Sequence, residues 1–260
     1  MLAPAAAVKY NGQPMVTPEI LYGVALTALP ILLSLVVHEF AHARTALAFG
    51  DPTAKAMGRC TLNPLAHLDP IGTILMVLTG VGWARPVPVD SRNLQPRRLG
   101  NIAVSAAGAA SNVSIALACT IGLRVLAAAG VAVDPQGDFT AADVLFFLLT
   151  YLLVINLNLA VFNLIPLFPL DGHHIGREAL PAHRQGAYMR WQILYGRWLF
   201  LALWIGPELL RRTAGFDFNP LGWYLGGVVW PSSQFLLGEQ AMPPALMAFL
   251  KFQPYLYWLR

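Results

Sequence analysis

The sequence predicts an α-helical polytopic membrane protein, and three observations lead there. Of the 260 residues, 57% are hydrophobic and only 12% charged, with a mean hydropathy of +0.57, outside the composition of ordinary soluble domains. Several apolar runs approach or exceed the roughly 20 residues a helix needs to cross the hydrocarbon core. The Lys and Arg residues fall in clusters between these runs, as expected of loops that fix membrane orientation.

Taken in order, helical spans are predicted near 18–43, 99–129, 141–166, 191–210 and 219–238, with a shorter run from Ile71 to Val81. That makes about five to six transmembrane helices. Lys9 is the sole basic residue before Ile20, and the first apolar run is too long for a leader peptide, so it reads as a retained helix. The whole of 1–260 reads as one membrane-embedded domain, with a core over about 18–180 and C-terminal helices over about 190–260.

Basic residues prefer the cytoplasmic side of short loops. Arg44, Lys55 and Arg59 follow the first span, Arg85, Arg92, Arg97 and Arg98 precede the second, and Arg177, Arg184 and Arg190 follow the third. The loop 130–140 carries Asp134 and Asp138 and no basic residue, which assigns it to the outside. With both flanks of Ile71–Val81 cytoplasmic, that run is expected to be re-entrant or interfacial, and such backbone needs protein or water against it. Arg211 and Arg212 do not fit the scheme.

Residues 53–64 and 83–90 do not read as helices. Pro86 and Pro88 rule out a central strand but permit an edge, so a small β-hairpin or sheet is expected here, near the active site, with an edge able to accept an extended peptide. Cys60 and Cys119 show no CxxC spacing and read as free thiols. Basic and aromatic residues do not interleave as they do on nucleic-acid surfaces, so no nucleic-acid partner is expected.

The chemistry starts at His38-Glu39-Phe40-Ala41-His42, which closes the apolar run from Ile20 to Val37. On a helix, positions i and i+4 share a face, so both imidazoles can hold one Zn²⁺ with Glu39 beside them to activate water. A pentapeptide with three fixed positions also arises by chance. With only six His and thirteen acidic residues in the chain, however, its occurrence inside a lipid-compatible segment is informative, since ionisable residues at membrane depth are costly.

A catalytic zinc takes three protein ligands and leaves one position open. Asp171 is the best third candidate: it follows Pro166 and Pro169, which end the helix 141–166 on the side assigned to the cytoplasm. His67, in a polar Asn-Pro and Asp-Pro setting, reads as a further ligand, a substrate-binding group or a loop hydrogen-bonder, and His173 as support behind Asp171. The small face Ser105, Gly108, Ala109 and Asn112 permits close helix approach. A rival reading makes His38, His42 and Asp171 a metal-binding or transit site without hydrolysis; Glu39 distinguishes the two, because a transit site has less need of a base between its ligands.

His38–His42 together with Asn163-x-x-Pro166 and Leu170-Asp171-Gly172 resembles the site-2 protease family of intramembrane zinc metalloproteases. The stretches Asn63–Gly72 and Gly82–Val89 are similar to its compact bacterial and archaeal branch without a PDZ domain. The resemblance covers about 18–180. It implies one zinc held by His38, His42 and Asp171, with Glu39 as the base. It implies substrates that are themselves transmembrane helices, cut within or beside the bilayer, in a prokaryotic inner membrane with the site facing the cytoplasm. It also brings Asn163 close to the active site, where its amide would hold substrate backbone or a developing oxyanion, or else pack between helices. The family's Gly-x-x-x-Asn pattern matches Gly108 to Asn112, with Ala109 where proline is usual. Oligomeric state is not indicated.

Overall fold

A computed structural model describes residues 9–10, 13–14, 18–79, 83–134 and 140–252. Four helical stretches are long and apolar enough to cross a membrane: Leu26–Ala48, Arg97–Ala128, Ala141–Asn163 and Ala182–Ala214. The first belongs to α1 (Pro18–Ala48). It is followed by a single turn, α2 (Thr53–Ala56), a 3₁₀ turn at Pro64–Ala66, and α3 (Pro70–Thr79). The core of the fold is α1 with α4 (Arg97–Ala128) and α5 (Ala141–Asn163), each packed on the other two.

Each boundary has a local cause. Thr140 opens α5 with a capping box, its hydroxyl accepting from the Asp143 N–H while Asp143 takes the Thr140 N–H. Pro96 stands at the N-cap of α4. The α5 helix stops at Asn163, three residues before Pro166. Along α4 and α5, the buried faces carry Ala116, Leu123, Phe146, Phe147 and Leu153, which pack with Leu237, Ala241 and Ala245 of α9 (Pro220–Phe252).

Beyond α5 the chain forms α6 (Gly172–Ala179), α7 (Ala182–Trp191), a π-turn at Gln192–Gly196 and α8 (Arg197–Ala214). The last three make one continuous rod on the periphery, with Trp198, Ile205 and Leu209 exposed, as expected of a lipid-facing surface. The predicted span 191–210 lies inside this rod. The predicted span 219–238 is helical but is not among the four apolar candidates, so the expectation of five to six spans becomes four among the described residues. At Gly238, α9 breaks, and Arg124 Nε reaches the Leu237 carbonyl at 3.3 Å.

The hairpin or sheet expected from 53–64 and 83–90 does not form. Among the described residues the pairing there is one antiparallel bridge, Leu68 to Ala84, reinforced by Arg85 N–H donating to His67 O at 2.8 Å. A two-residue ladder, β1 (Lys9–Tyr10) on β2 (Gln13–Pro14), lies elsewhere in the sequence. Pro86 and Pro88 lack the N–H a ladder requires, and Thr53–Ala56 is helical. Instead, 85–93 is a strap fastened by side chains. The buried Arg59 guanidinium donates to the carbonyls of Arg85 and Pro86, and the buried Asp51 carboxylate accepts from Asp90 N at 2.8 Å and Asn93 Nδ2 at 3.0 Å.

The bridge also bears on Ile71–Val81. Residues 68 and 84 are neighbours, so the excursion between them leaves and returns at one place. The ten residues of α3 reach only about 15 Å, half of what crossing requires. Residues 80 and 81 of the run lie outside the described residues.

Candidate metal centre

In α1, Pro30, Ser34, His38 and His42 follow one another at intervals of four, a row down the face that meets α4. His38 and His42 are 4% and 7% exposed, which removes solvent as a partner for either ring. Their Nε2 atoms lie 3.0 Å apart, and Asp171 Oδ2 is 3.1 Å from the first and 3.2 Å from the second. No other group of three or more His, Cys, Asp or Glu among the described residues converges in this way.

What faces the two Nδ1 atoms decides what the Nε2 atoms offer. His42 Nδ1 meets the Val104 carbonyl at 2.6 Å; a carbonyl only accepts, so Nδ1 carries the hydrogen and Nε2 the lone pair. His38 Nδ1 meets Asn112 Oδ1 at 2.6 Å, with the same consequence. Two imidazole lone pairs and a carboxylate oxygen therefore point into one small space, which calls for a cation. Tetrahedral zinc with ligand bonds of about 2.0–2.1 Å sets its donors roughly 3.3 Å apart, close to the 3.0–3.2 Å here. This donor set fits zinc.

Two glycines make room for it. A Cβ on Gly108 would stand 2.4 Å from His38 Cε1 and 2.5 Å from both Nε2 atoms, so the α4 backbone passes against the imidazoles where no side chain fits. A Cβ on Gly172 would stand 2.4 Å from the carbonyl oxygens of Leu164 and Ile165, which lets the chain fold back sharply after α5 and turn Asp171 inward. The loop is clamped by Gln192 in the π-turn, 1% exposed, whose Oε1 accepts from Phe168 N at 2.9 Å and whose Nε2 donates to Pro166 O at 2.8 Å.

Glu39 opens into a cavity of about 470 Å³ whose wall includes His42, Asp171, His173, His174, Val87 and Ser105. Its Oε2 accepts the Val87 N–H at 2.9 Å, so the strap lies over the site. His173 donates from Nδ1 to Leu170 O at 2.5 Å, packs edge-on to Phe168 and lines the same cavity as Asp171. Burial, aided by the charge of His173 and Arg177, pushes His174 down to about 4, leaving it neutral at neutral pH.

Two of the sequence-predicted residues are placed elsewhere. His67 is buried with Nε2 against Thr61 O at 2.7 Å and does not join the converging donors. Asn163 donates from Nδ2 to Leu159 O, one turn back on its own helix at 3.0 Å, and is not on the cavity wall. Asn112 proves to be a direct partner of His38. Sequence reasoning missed Ser34, Asn156 and Gln192; the signal for Asn156 is an amide in the middle of the otherwise apolar α5.

The model of peptidase family M50 matches residues 26–205, more than half of the chain. The candidate zinc metalloprotease YwhC of Bacillus subtilis is 41% identical over 177 residues, 68% of this chain and 78% of its own length. The candidate zinc metalloproteases named Rip2 are each 29% identical. That of Mycolicibacterium smegmatis covers 75% of this chain and 74% of its own length, and that of Mycobacterium tuberculosis H37Rv covers 76% and 70%. No solved structure matches the chain.

Proposed function

The chain belongs to peptidase family M50, the site-2 protease family, and is a metallopeptidase; on that premise we propose that it is an intramembrane zinc endopeptidase that hydrolyses peptide bonds within or beside the transmembrane helices of other membrane proteins. The observation that carries the reading is the convergence of His38 Nε2, His42 Nε2 and Asp171 Oδ2 within 3.2 Å beside the Glu39 cavity, on helices long enough to span a bilayer.

Zinc at this place would polarise the scissile carbonyl and lower the pKa of water towards about 7. The chain supplies the rest. Asn112 and the Val104 carbonyl hold the two rings with their Nε2 lone pairs inward. Asp171 adds the anionic ligand. Glu39 takes the proton of the attacking water on a carboxylate oxygen and hands it to the leaving amine, so no covalent acyl-enzyme is needed. A helix hides its carbonyls in internal hydrogen bonds, so the substrate must unwind locally to reach the cavity. We expect cleavage to favour helices weakened by Gly or Pro, and equal cleavage of a uniformly Leu-rich helix would refute that preference. We read the site as facing the cytoplasm, on the strength of the basic loops, and the membrane as a prokaryotic inner membrane, on the family resemblance.

The deciding experiment compares membrane proteomes of cells carrying wild type and Glu39→Gln. Transmembrane fragments that persist only in the variant identify the substrates. Identical fragment sets, together with cleavage of a reconstituted helical substrate by the variant, would refute the assignment.

A further inference from the structure

Behind His38 lies a hydrogen-bonded row that joins three helices and ends on two backbone carbonyls. His38 Nδ1 meets Asn112 Oδ1 at 2.6 Å, Asn112 Nδ2 donates to Asn156 Oδ1 at 2.7 Å, and Asn156 Nδ2 donates both to Ser34 Oγ and to Leu152 O, each at 2.8 Å. Ser34 Oγ in turn donates to Pro30 O at 2.7 Å. Ser34, Asn112 and Asn156 are all 0% exposed, so water cannot substitute for any partner.

The direction of every bond in this row is determined. Pro30 O and Leu152 O can only accept. Ser34 must spend its hydrogen on Pro30, which leaves its oxygen to accept from Asn156. The Asn156 nitrogen must face Leu152, and its two hydrogens are then both used. Its oxygen therefore faces Asn112 and requires the Asn112 nitrogen there. That in turn presents the Asn112 oxygen to His38 and keeps the hydrogen on Nδ1. A flip of either amide would set oxygen against oxygen, or nitrogen against nitrogen, in a dry interior.

We propose that Asn156, oriented by Leu152 O and Ser34, is a positioning residue for the metal centre: it fixes which way the Asn112 amide points and thereby aims the His38 Nε2 lone pair at zinc. The inference rests on the zinc reading above for its metal but not on protease activity, because its readout is zinc affinity. What position 156 supplies is an acceptor toward Asn112 Nδ2.

Four variants of the full chain in detergent test this by competition with a chromophoric zinc chelator. Asn156→Leu removes the acceptor, frees the Asn112 amide to turn, and weakens zinc binding by about 10- to 100-fold, the usual cost of losing support behind a ligand. Asn156→Asp, protonated in this dry interior, donates to Leu152 O in place of the amide nitrogen, keeps an acceptor toward Asn112 and stays within about threefold of wild type, well short of that loss. The double variant Asn112→Asp, Asn156→Leu recovers most of the loss, because a carboxylate presents oxygen to His38 whichever way it turns. Asn112→Asp alone measures what the added charge does to affinity, and a purely packing role for Asn156 leaves the Asn156→Leu loss the same in both backgrounds. Wild-type affinity in Asn156→Leu, a loss in Asn156→Asp equal to that in Asn156→Leu, or failure of the double variant to recover each overturns the proposal. If Asn156→Leu does not accumulate as folded protein, the smaller Asn156→Val takes its place, with the same loss and the same recovery expected. Absence of zinc binding by the wild type would instead refute the metal-centre reading itself.

Discussion

Replacing Gly108 by Ala adds one methyl group, and the structure states where it goes. The new carbon would stand 2.4 Å from His38 Cε1 and 2.5 Å from Nε2 of both His38 and His42, whereas unstrained carbon contacts begin near 3.5 Å. About 1 Å must therefore be found by moving the imidazoles or by parting α1 from α4. The rings have little freedom, since Val104 O and Asn112 Oδ1 hold their far sides at 2.6 Å. Ligand distances in a working site are held to about 0.2 Å, so a 1 Å displacement is several times what the centre tolerates. We expect Gly108→Ala to fold, because overpacking by one methyl costs about 1–3 kcal/mol, but to bind zinc at least roughly 100-fold more weakly than wild type, the upper end for loss of ligand support. Metal analysis of the purified protein reads this directly. Melting with zinc and with chelator reads it again, since a ligand raises stability only in proportion to its binding. Gly122→Ala is the control: on the same helix its added carbon meets only Leu149 Cδ1, at 3.3 Å, and zinc content should not change. One zinc per chain at wild-type affinity in Gly108→Ala would show that the reasoning from this contact is wrong.

Three further outcomes are expected. Glu39→Gln should retain zinc and lose cleavage by about 10²-fold or more, the lower range for a general base; single-turnover assays on a reconstituted substrate measure it, and a variant as fast as wild type removes Glu39 from the chemistry. Asp171→Ala should lose zinc itself, seen as a fall in bound metal with the helices intact by circular dichroism; full occupancy would eliminate Asp171 as a ligand. Asp51 anchors the strap, and although burial pushes its carboxyl up, its hydrogen bonds from Asn93, Thr53 and Asp90 prevail and lower it. Its contribution is thus present above the unfolded value of about 3.9 and is lost as pH falls through the lower folded value. Asp51→Ala should cost about 3 kcal/mol at pH 7, the upper end for hydrogen bonds to a charged group, and the gap to wild type should close in strong acid; a gap that persists there would contradict the linkage.

The residues of the centre were largely legible in the sequence, because their signals are local. His38, Glu39 and His42 lie within one helical turn by spacing alone, and the prolines after α5 mark where the helix ends; the segment behind them, read as extended, is instead a series of tight turns that brings Asp171 inward. The first three long helices fell where hydropathy put them, to within a few residues. What escaped was set by tertiary partners. The strap was read as a strand because it is extended, yet Arg59 and Asp51, 26 and 39 residues away, satisfy its backbone instead of a neighbouring strand. His67 carries a polar neighbourhood like that of a site residue, but its Nε2 faces Thr61 O and not the converging donors. The roles of Ser34 and Asn156 are invisible without the crossing of α1, α4 and α5, since each is an ordinary polar residue until the helix that faces it is known.

The bond between Arg85 N–H and His67 O has a consequence for counting. A segment whose two ends touch contributes an even number of crossings, so α1 and α4 are successive passes and α5 is the next. The parity of the whole core is thereby fixed, and its orientation in the membrane reduces to a single binary choice. One impermeant label, placed in the loop that joins α4 to α5, decides toward which side of the bilayer the His38 and His42 end of α1 faces.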